Sequence, residues 1–194
     1  SGSIKYETGI RPILERSSAR ESAGRIAAGA LARLLLREMG IETVGYVLSV
    51  GDVELTPDQA TFSKGVDELR AIRDATQLFS LSPEKEAKAT KAIDDAKLAG
   101  DTLGGVVEVR VFNVPFGLGT HAQWSAKLDG KLARAVAAIQ AFKGVEIGDG
   151  FNLASLPGSL AHDEILWDES QRGTRTQGFV RTTNHAGGIE GGMT

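Results

Sequence analysis

The chain has 194 residues, 41% hydrophobic and 24% charged, with 22 Lys and Arg against 25 Asp and Glu and a formal net charge of −3. That is enough for one domain with a sizeable core, or for a large piece of a bigger one, and it lacks the basic field of a nucleic-acid-binding surface. Absence of cysteine excludes a disulfide framework and thiolate metal sites, and fits a reducing cytosol.

Ser1-Gly2-Ser3 reads as a cloning remnant, which leaves residues 4–194 as a single core domain. The first strong element is a helix over residues 18 to 39. Ala23, Ile26, Ala27, Ala30, Leu31, Leu34 and Leu35 recur at i, i+3, i+4, i+7 spacing and make one face. Ser18 and Glu21 fit a capping box at its start, and Gly40 fits a left-handed cap at its end. The apolar run 26 to 36 is interrupted by Arg33 and is too short to span a bilayer. Residues 41 to 50 are rich in β-branched side chains and predict a strand. The pattern weakens over 51 to 81, read as a variable insertion with a short helix or strand.

Ser82-Pro83 is a good helix start, and 83 to 99 predicts a solvated helix ending at Gly100. A strand over 104 to 113 follows, then an amphipathic helix over 125 to 139 with Leu128, Leu132, Ala135, Val136 and Ile139 on one face, then a short strand at 144 to 147. Strand, helix and strand in this order point to an α+β fold with a βαβ-sandwich core: split βαβ units, helices packed between or on antiparallel or mixed sheets. The remainder is loop-rich, with a hairpin expected around 171 to 179. The chain ends just after a glycine-rich stretch, which reads as truncation.

Three segments carry candidate chemistry. Arg16-Ser17-Ser18-Ala19-Arg20-Glu21 sets two guanidinium groups and two hydroxyls at a helix start, suited to phosphate or carboxylate; an ordinary N-cap with surface arginines explains it about equally well. Gly187-Gly188-Ile189-Glu190-Gly191-Gly192 lets backbone approach a phosphate or a flat ring, or simply makes a tight turn; it is neither a Walker A loop nor a dinucleotide fingerprint. In the run from Gly144 to Phe151, Glu146 and Asp149 have the chemistry of an acid, a base or a metal ligand, and more commonly cap a turn. His121, His162 and His185 lack metal-ligand spacing, and no Gly-x-Ser-x-Gly occurs.

Five blocks in register resemble the chorismate synthase family: the 16–21 block with Ile26-Ala27-Ala28-Gly29-Ala30, then Gly100 to Glu108, then Pro115-Phe116-Gly117-Leu118-Gly119, then Lys143 to Phe151, then Asn184 to Thr194. The resemblance implies conversion of 5-enolpyruvylshikimate 3-phosphate to chorismate and phosphate by anti-1,4-elimination. It implies reduced FMN as cofactor, with NADPH as a source of reducing equivalents, a cytoplasmic location and a homotetramer, with no nucleic acid or membrane as partner. By position, Arg16, Ser17, Ser18, Gln140, Ala141 and Gly191 correspond to FMN contacts, and Ser18, Ala19 and Arg20 to substrate contacts. The family's two catalytic histidines lie in Gly-Glu-Ser-His-Gly and Arg-Pro-Gly-His-Ala-Asp. Neither motif occurs here, nor does the Lys-Pro-x-x-Ser flavin loop or the Arg-x-Asp segment. The expectation is therefore a core piece of that enzyme, inactive alone, without catalytic histidine or metal. The alternatives are a folding and assembly core, or a generic phosphate-binding module.

Overall fold

The β-branched run after Gly40 forms the central strand of a three-stranded antiparallel sheet. The computed structural model describes residues 1–17 and 20–194. The chain packs as two units, one of Ala30–Asn113 and one of Ser1–Gly29 with Val114–Thr194.

In the first unit, β1 (Glu42–Val50) lies between β2 (Val53–Glu54) and β3 (Gly105–Phe112). Tyr46 stands opposite Glu108 and Val44 opposite Arg110, and the register shifts between Val47 and Ser49. Side chains alternate across a strand, so one set of β1 is inside: Val44 and Tyr46 are buried. They pack with Leu69 of helix α5 (Val66–Asp74) and with Leu81. Val53, Leu55 and Ala89 of α6 (Glu86–Leu98) form a second cluster. Helices thus lie on an antiparallel sheet, an α+β arrangement as the patterning predicts. The span 51–81, weak in pattern, carries β2, α4 (Gln59–Phe62) and α5 and supplies Leu55 and Leu69 to the core.

Of the described buried polar side-chain atoms of this unit, Arg70 Nε has no hydrogen-bond partner and the others are bonded, as burial demands. The Thr76 hydroxyl donates to Arg73 O and accepts from Ser80 N, and the Ser82 hydroxyl donates to Leu55 O at 2.8 Å. The Glu86 carboxylate accepts from Gln77 N, Leu78 N and Ser80 Oγ, fixing the loop before α6. Arg70 donates to Glu42 and to Thr43 O, tying α5 to β1. This contact holds the Glu42 carboxyl below its usual range and raises the Arg70 guanidinium. Burial, with the nearby Glu108 carboxylate, pushes the Tyr46 phenol upward.

Helix α3 (Arg20–Glu38) and α6 end as expected. Gly40 N–H bonds Arg37 O and Ile41 N–H bonds Leu36 O, both at 2.8 Å; Gly100 and Asp101 repeat the pattern on Lys97 O and Ala96 O. These are Schellman closures, with Gly40 and Gly100 at positive φ. No described residue of α3 is buried, and Ile26, Leu31, Leu34 and Leu35 are all exposed.

The second unit holds α1 (Gly2–Tyr6), α2 (Ile10–Ser17), the start of α3, α7 (Leu128–Ala137), α8 (Gly158–Ala161) and the hairpin of β4 (Ile165–Trp167) with β5 (Phe179–Arg181). Two local expectations differ. Residues 144–147 run without a strand partner among the described residues, so their apolar alternation makes no ladder. The hairpin is displaced outward: 171–178 belongs to the connection, and the arms are locked by a Trp167–Phe179 edge-to-face contact at 5.3 Å. The capping box expected at Ser18 lies outside the described residues.

Leu69 is 1% exposed at the centre of the first cluster. Leu69→Ala should lower the unfolding free energy by roughly 2 to 5 kcal/mol, through lost burial and the cavity left behind. Urea unfolding followed by far-ultraviolet circular dichroism checks this.

Candidate functional site

The second unit brings the start of α3 against the end of the amphipathic helix. Beyond α7 the chain turns at Ala138 and reaches Gln140. The Gln140 amide donates to the Glu21 carboxylate and accepts from the Ser22 hydroxyl at 3.2 Å. This joins two expected cofactor and substrate segments that stand 118 residues apart. Ala141 next to it has φ 69°, a left-handed conformation that L side chains rarely adopt. Such backbone strain concentrates at functional sites.

Arg16 and Ser17 are not at a helix start. They occupy the last turn of α2, where the Ser17 hydroxyl donates to Ile13 O at 2.8 Å. The sequence reading missed α2, although Ile10, Ile13 and Leu14 have helical spacing and Pro12 is tolerated in a first turn. Arg20 opens α3 and pairs with Glu15 at 2.7 Å, both side chains well exposed. Ser18 and Ala19, expected at the substrate, lie outside the described residues.

Gly191 sits in a tight turn. Glu190 and Met193 exchange both backbone hydrogen bonds, at 2.9 and 3.1 Å, around Gly191 at φ 59° and Gly192 at φ 90°. Two successive positive φ values make a type I′ turn, which favours glycine at both places. A Cβ at Gly191 would meet nothing within 4 Å, so its backbone faces open space. Gly192 O accepts from Thr120 N and from Leu128 N at the start of α7. Among the described residues no hydrogen bond joins this turn to Gln140.

Below the turn, residues 184–188 cross the 146–150 loop. His185 Nδ1 meets Asp149 Oδ2 at 2.5 Å, and Asp149 N donates to His185 O at 2.8 Å. The Asp149 carboxylate makes no cap on the turn that follows it and instead ties the 146–150 loop to the 184–188 segment. Gly148 and Gly187 pass so closely that a Cβ on Gly148 would lie 2.0 Å from His185 O. Asp163, which sequence reasoning passed over, underlies this loop. It is 7% exposed and accepts from Thr183 Oγ1, His185 N and Ala186 N at 2.6, 2.7 and 2.9 Å. A lone aspartate after a histidine in a loop has no periodic signal that would have found it.

Arg16 and Arg20 supply guanidinium groups of the kind that recognise oxyanions, Arg20 being paired with Glu15; the Ser17 hydroxyl hydrogen is already given to Ile13 O, and the Gly191 backbone is sterically open. Among the described residues no cluster of His, Asp and Glu is arranged for a metal ion, and no helix is long and apolar enough to cross a membrane.

Burial pushes the Asp163 carboxyl upward, but hydrogen bonds from Thr183, Ala186 and His185 win and hold it below its ordinary value of 3.8. Its contribution to stability is therefore complete above the ordinary carboxylate range and is lost as pH falls through the lowered folded value. Melting temperature measured from neutral pH into acid should show this limb, and Asp163→Asn should flatten it.

Comparisons with known proteins point to one family. A family model described as chorismate synthase matches residues 1–194. The chorismate synthase of Bacillus cytotoxicus is 49% identical over 195 residues, covering 100% of this chain and 48% of that protein. The chorismate synthase of Desulforamulus reducens is 50% identical over 194 residues, with the same coverage. A crystal structure of chorismate synthase superposes with a TM-score of 0.88 at 43% identity, covering 100% of this chain and 57% of that one. The chain spans about half the length of the relatives it matches, and it belongs to the chorismate synthase family.

Proposed function

We propose that this chain supplies part of the FMN and substrate shell of an enzyme converting 5-enolpyruvylshikimate 3-phosphate to chorismate and phosphate. The observation that supports this reading most is the tie of Gln140 to Glu21 and Ser22 beside Arg20, which joins the two segments expected at cofactor and substrate. Arg16, Ser17, Gln140, Ala141 and Gly191 would hold FMN, with Ser18 shared between FMN and substrate. Arg20, with Ala19, would face the dianionic phosphate of the substrate. When bound, reduced FMN supplies electron density that helps phosphate leave C3 and takes up the hydrogen leaving C6.

The protein's own share is position and charge. Arg20 is a planar fork suited to bidentate capture of phosphate, and in the structure it already engages an oxyanion, that of Glu15. Substrate phosphate would replace Glu15 there. Gln140, held by Glu21 and Ser22, keeps the Ala141 backbone next to the start of α3. The family's two histidine motifs are not among these 194 residues. Proton handling at the leaving phosphate and at the flavin is thus outside what this segment does. A cytoplasmic location, and NADPH as the source of reduced flavin, follow as parts of the same reading.

Two measurements test it. The 194-residue chain incubated with substrate and reduced FMN should show no turnover; a rate near that of a full-length relative would overturn the assignment of proton transfer to other residues. In a full-length enzyme carrying this segment, Arg20→Ala should weaken substrate binding about tenfold to several hundredfold, and FMN binding less. Equal losses for both ligands would reassign Arg20.

A second reading, assembly, is favoured by α3, whose Ile26, Leu31, Leu34 and Leu35 are exposed together. Alanine and glycine at 27–30 permit close backbone approach to a second copy. Light scattering of the chain should then give a mass above that of one copy; a strict monomer at high concentration would remove this reading.

A further inference from the structure

Asp163 reaches further than its own loop. Its carboxylate takes the backbone N–H groups of His185 and Ala186 and the Thr183 hydroxyl. Its main-chain oxygen accepts from Arg181 at 3.0 Å, and the same guanidinium forks onto both Glu190 oxygens at 2.7 and 3.2 Å. Glu190 is the first residue of the turn that carries Gly191. One residue therefore holds the segment 181–190 at its start, its middle and, through Arg181, its end. At the Gly148–Gly187 crossing the middle of the segment packs directly against the backbone of the 146–150 loop.

We propose that Asp163 is a positioning residue for the Gly191 turn: it fixes the 183–186 backbone and, through Arg181 and Glu190, the place at which the turn presents its backbone to the cofactor. The cofactor part rests on the reading of Gly191 as an FMN contact; the positioning part rests on the hydrogen bonds alone. Two backbone donors and a hydroxyl converge on two carboxylate oxygens. An asparagine at 163 has one oxygen, and its NH2 would face a donor. Hydrogen bonds to a charged acceptor are the ones whose loss is felt most.

The experiment uses a full-length enzyme carrying this segment, with Asp163→Asn and, as a milder variant, Thr183→Val. FMN affinity is read by flavin fluorescence well below the melting temperature, and backbone amide exchange is followed across 183–193. Asp163→Asn should raise the FMN Kd by roughly ten- to a hundredfold, and Thr183→Val by less. Substrate affinity should stay within about twofold, and amide exchange should accelerate across 183–193. A lowered melting temperature with FMN affinity and exchange unchanged would mean that Asp163 only stabilises the fold, and would overturn the proposal. If Asp163→Asn does not fold, the same two readouts on Thr183→Val decide it. A wild-type enzyme that binds no FMN would overturn the cofactor reading, while the exchange data would still decide the positioning role.

Discussion

Backbone N–H and C=O groups taken from water must find partners, and the two units meet this demand differently. The unit of 30–113 uses regular structure: a sheet ladder, the helices against it and a few hydroxyls that close the loops between them. The other unit has little sheet and short helices, and relies more widely on the device seen once at Glu86, a single acceptor group serving several donors. Gly192 O takes two N–H groups, and the Asp163 carboxylate takes two N–H groups and a hydroxyl. Glycine follows from that solution, because chains that satisfy each other without a ladder must cross at van der Waals distance. Of the residues proposed for ligand contact, Gln140, Ala141 and Gly191 sit on this loop scaffold, whereas Arg16, Ser17 and Arg20 sit at helix ends.

Long periodic elements were readable. Helix α3 and strands β1 and β3 lie within a residue or two of the spans their spacing predicts, α6 starts three residues late behind a 3-10 turn at Pro83–Lys85, and Gly40 and Gly100 close their helices as their type suggests. What was not readable has physical reasons. The run 144–147 has strand composition, but a strand exists only with a partner. Helix α2 is short and runs directly into the capping pattern at 18–21, so Arg16 and Ser17 have the look of an approach to a helix start, whereas they end the preceding helix. The tie of Gln140 to Ser22 spans 118 residues, and no local pattern encodes it. Asp163 gave no signal because a buried carboxylate is recognised by its donors, here contributed from twenty residues away and more.

Helix α3 makes a related point about what holds an element. Its residues are largely Ala, Leu, Arg and Glu, all strong helix formers, and it carries a Schellman closure. Local propensity and capping account for its helicity without burial, which none of its described residues enjoys. β3 also leaves Val107, Val109 and Val111 exposed, while its polar residues Glu108 and Arg110 engage Tyr46 and Phe62. The first unit thus spends its polar side chains inward at this strand and leaves aliphatic ones outward, the reverse of a free-standing sheet.

The Gly148–Gly187 crossing also bears on the order of events during folding. Asp149 and His185, adjacent to it, are 36 residues apart in the chain, so their contact closes a long loop that includes α8 and the β4–β5 hairpin. The entropy of that closure is spent before the contact returns anything. The hairpin, held by three facing residue pairs and one aromatic contact, is local and inexpensive to form. The crossing is consequently a late event, completed once the hairpin and the Asp163 segment have come together. A side chain at either glycine would overlap the facing backbone, so the seam that closes this long loop could not form as it stands.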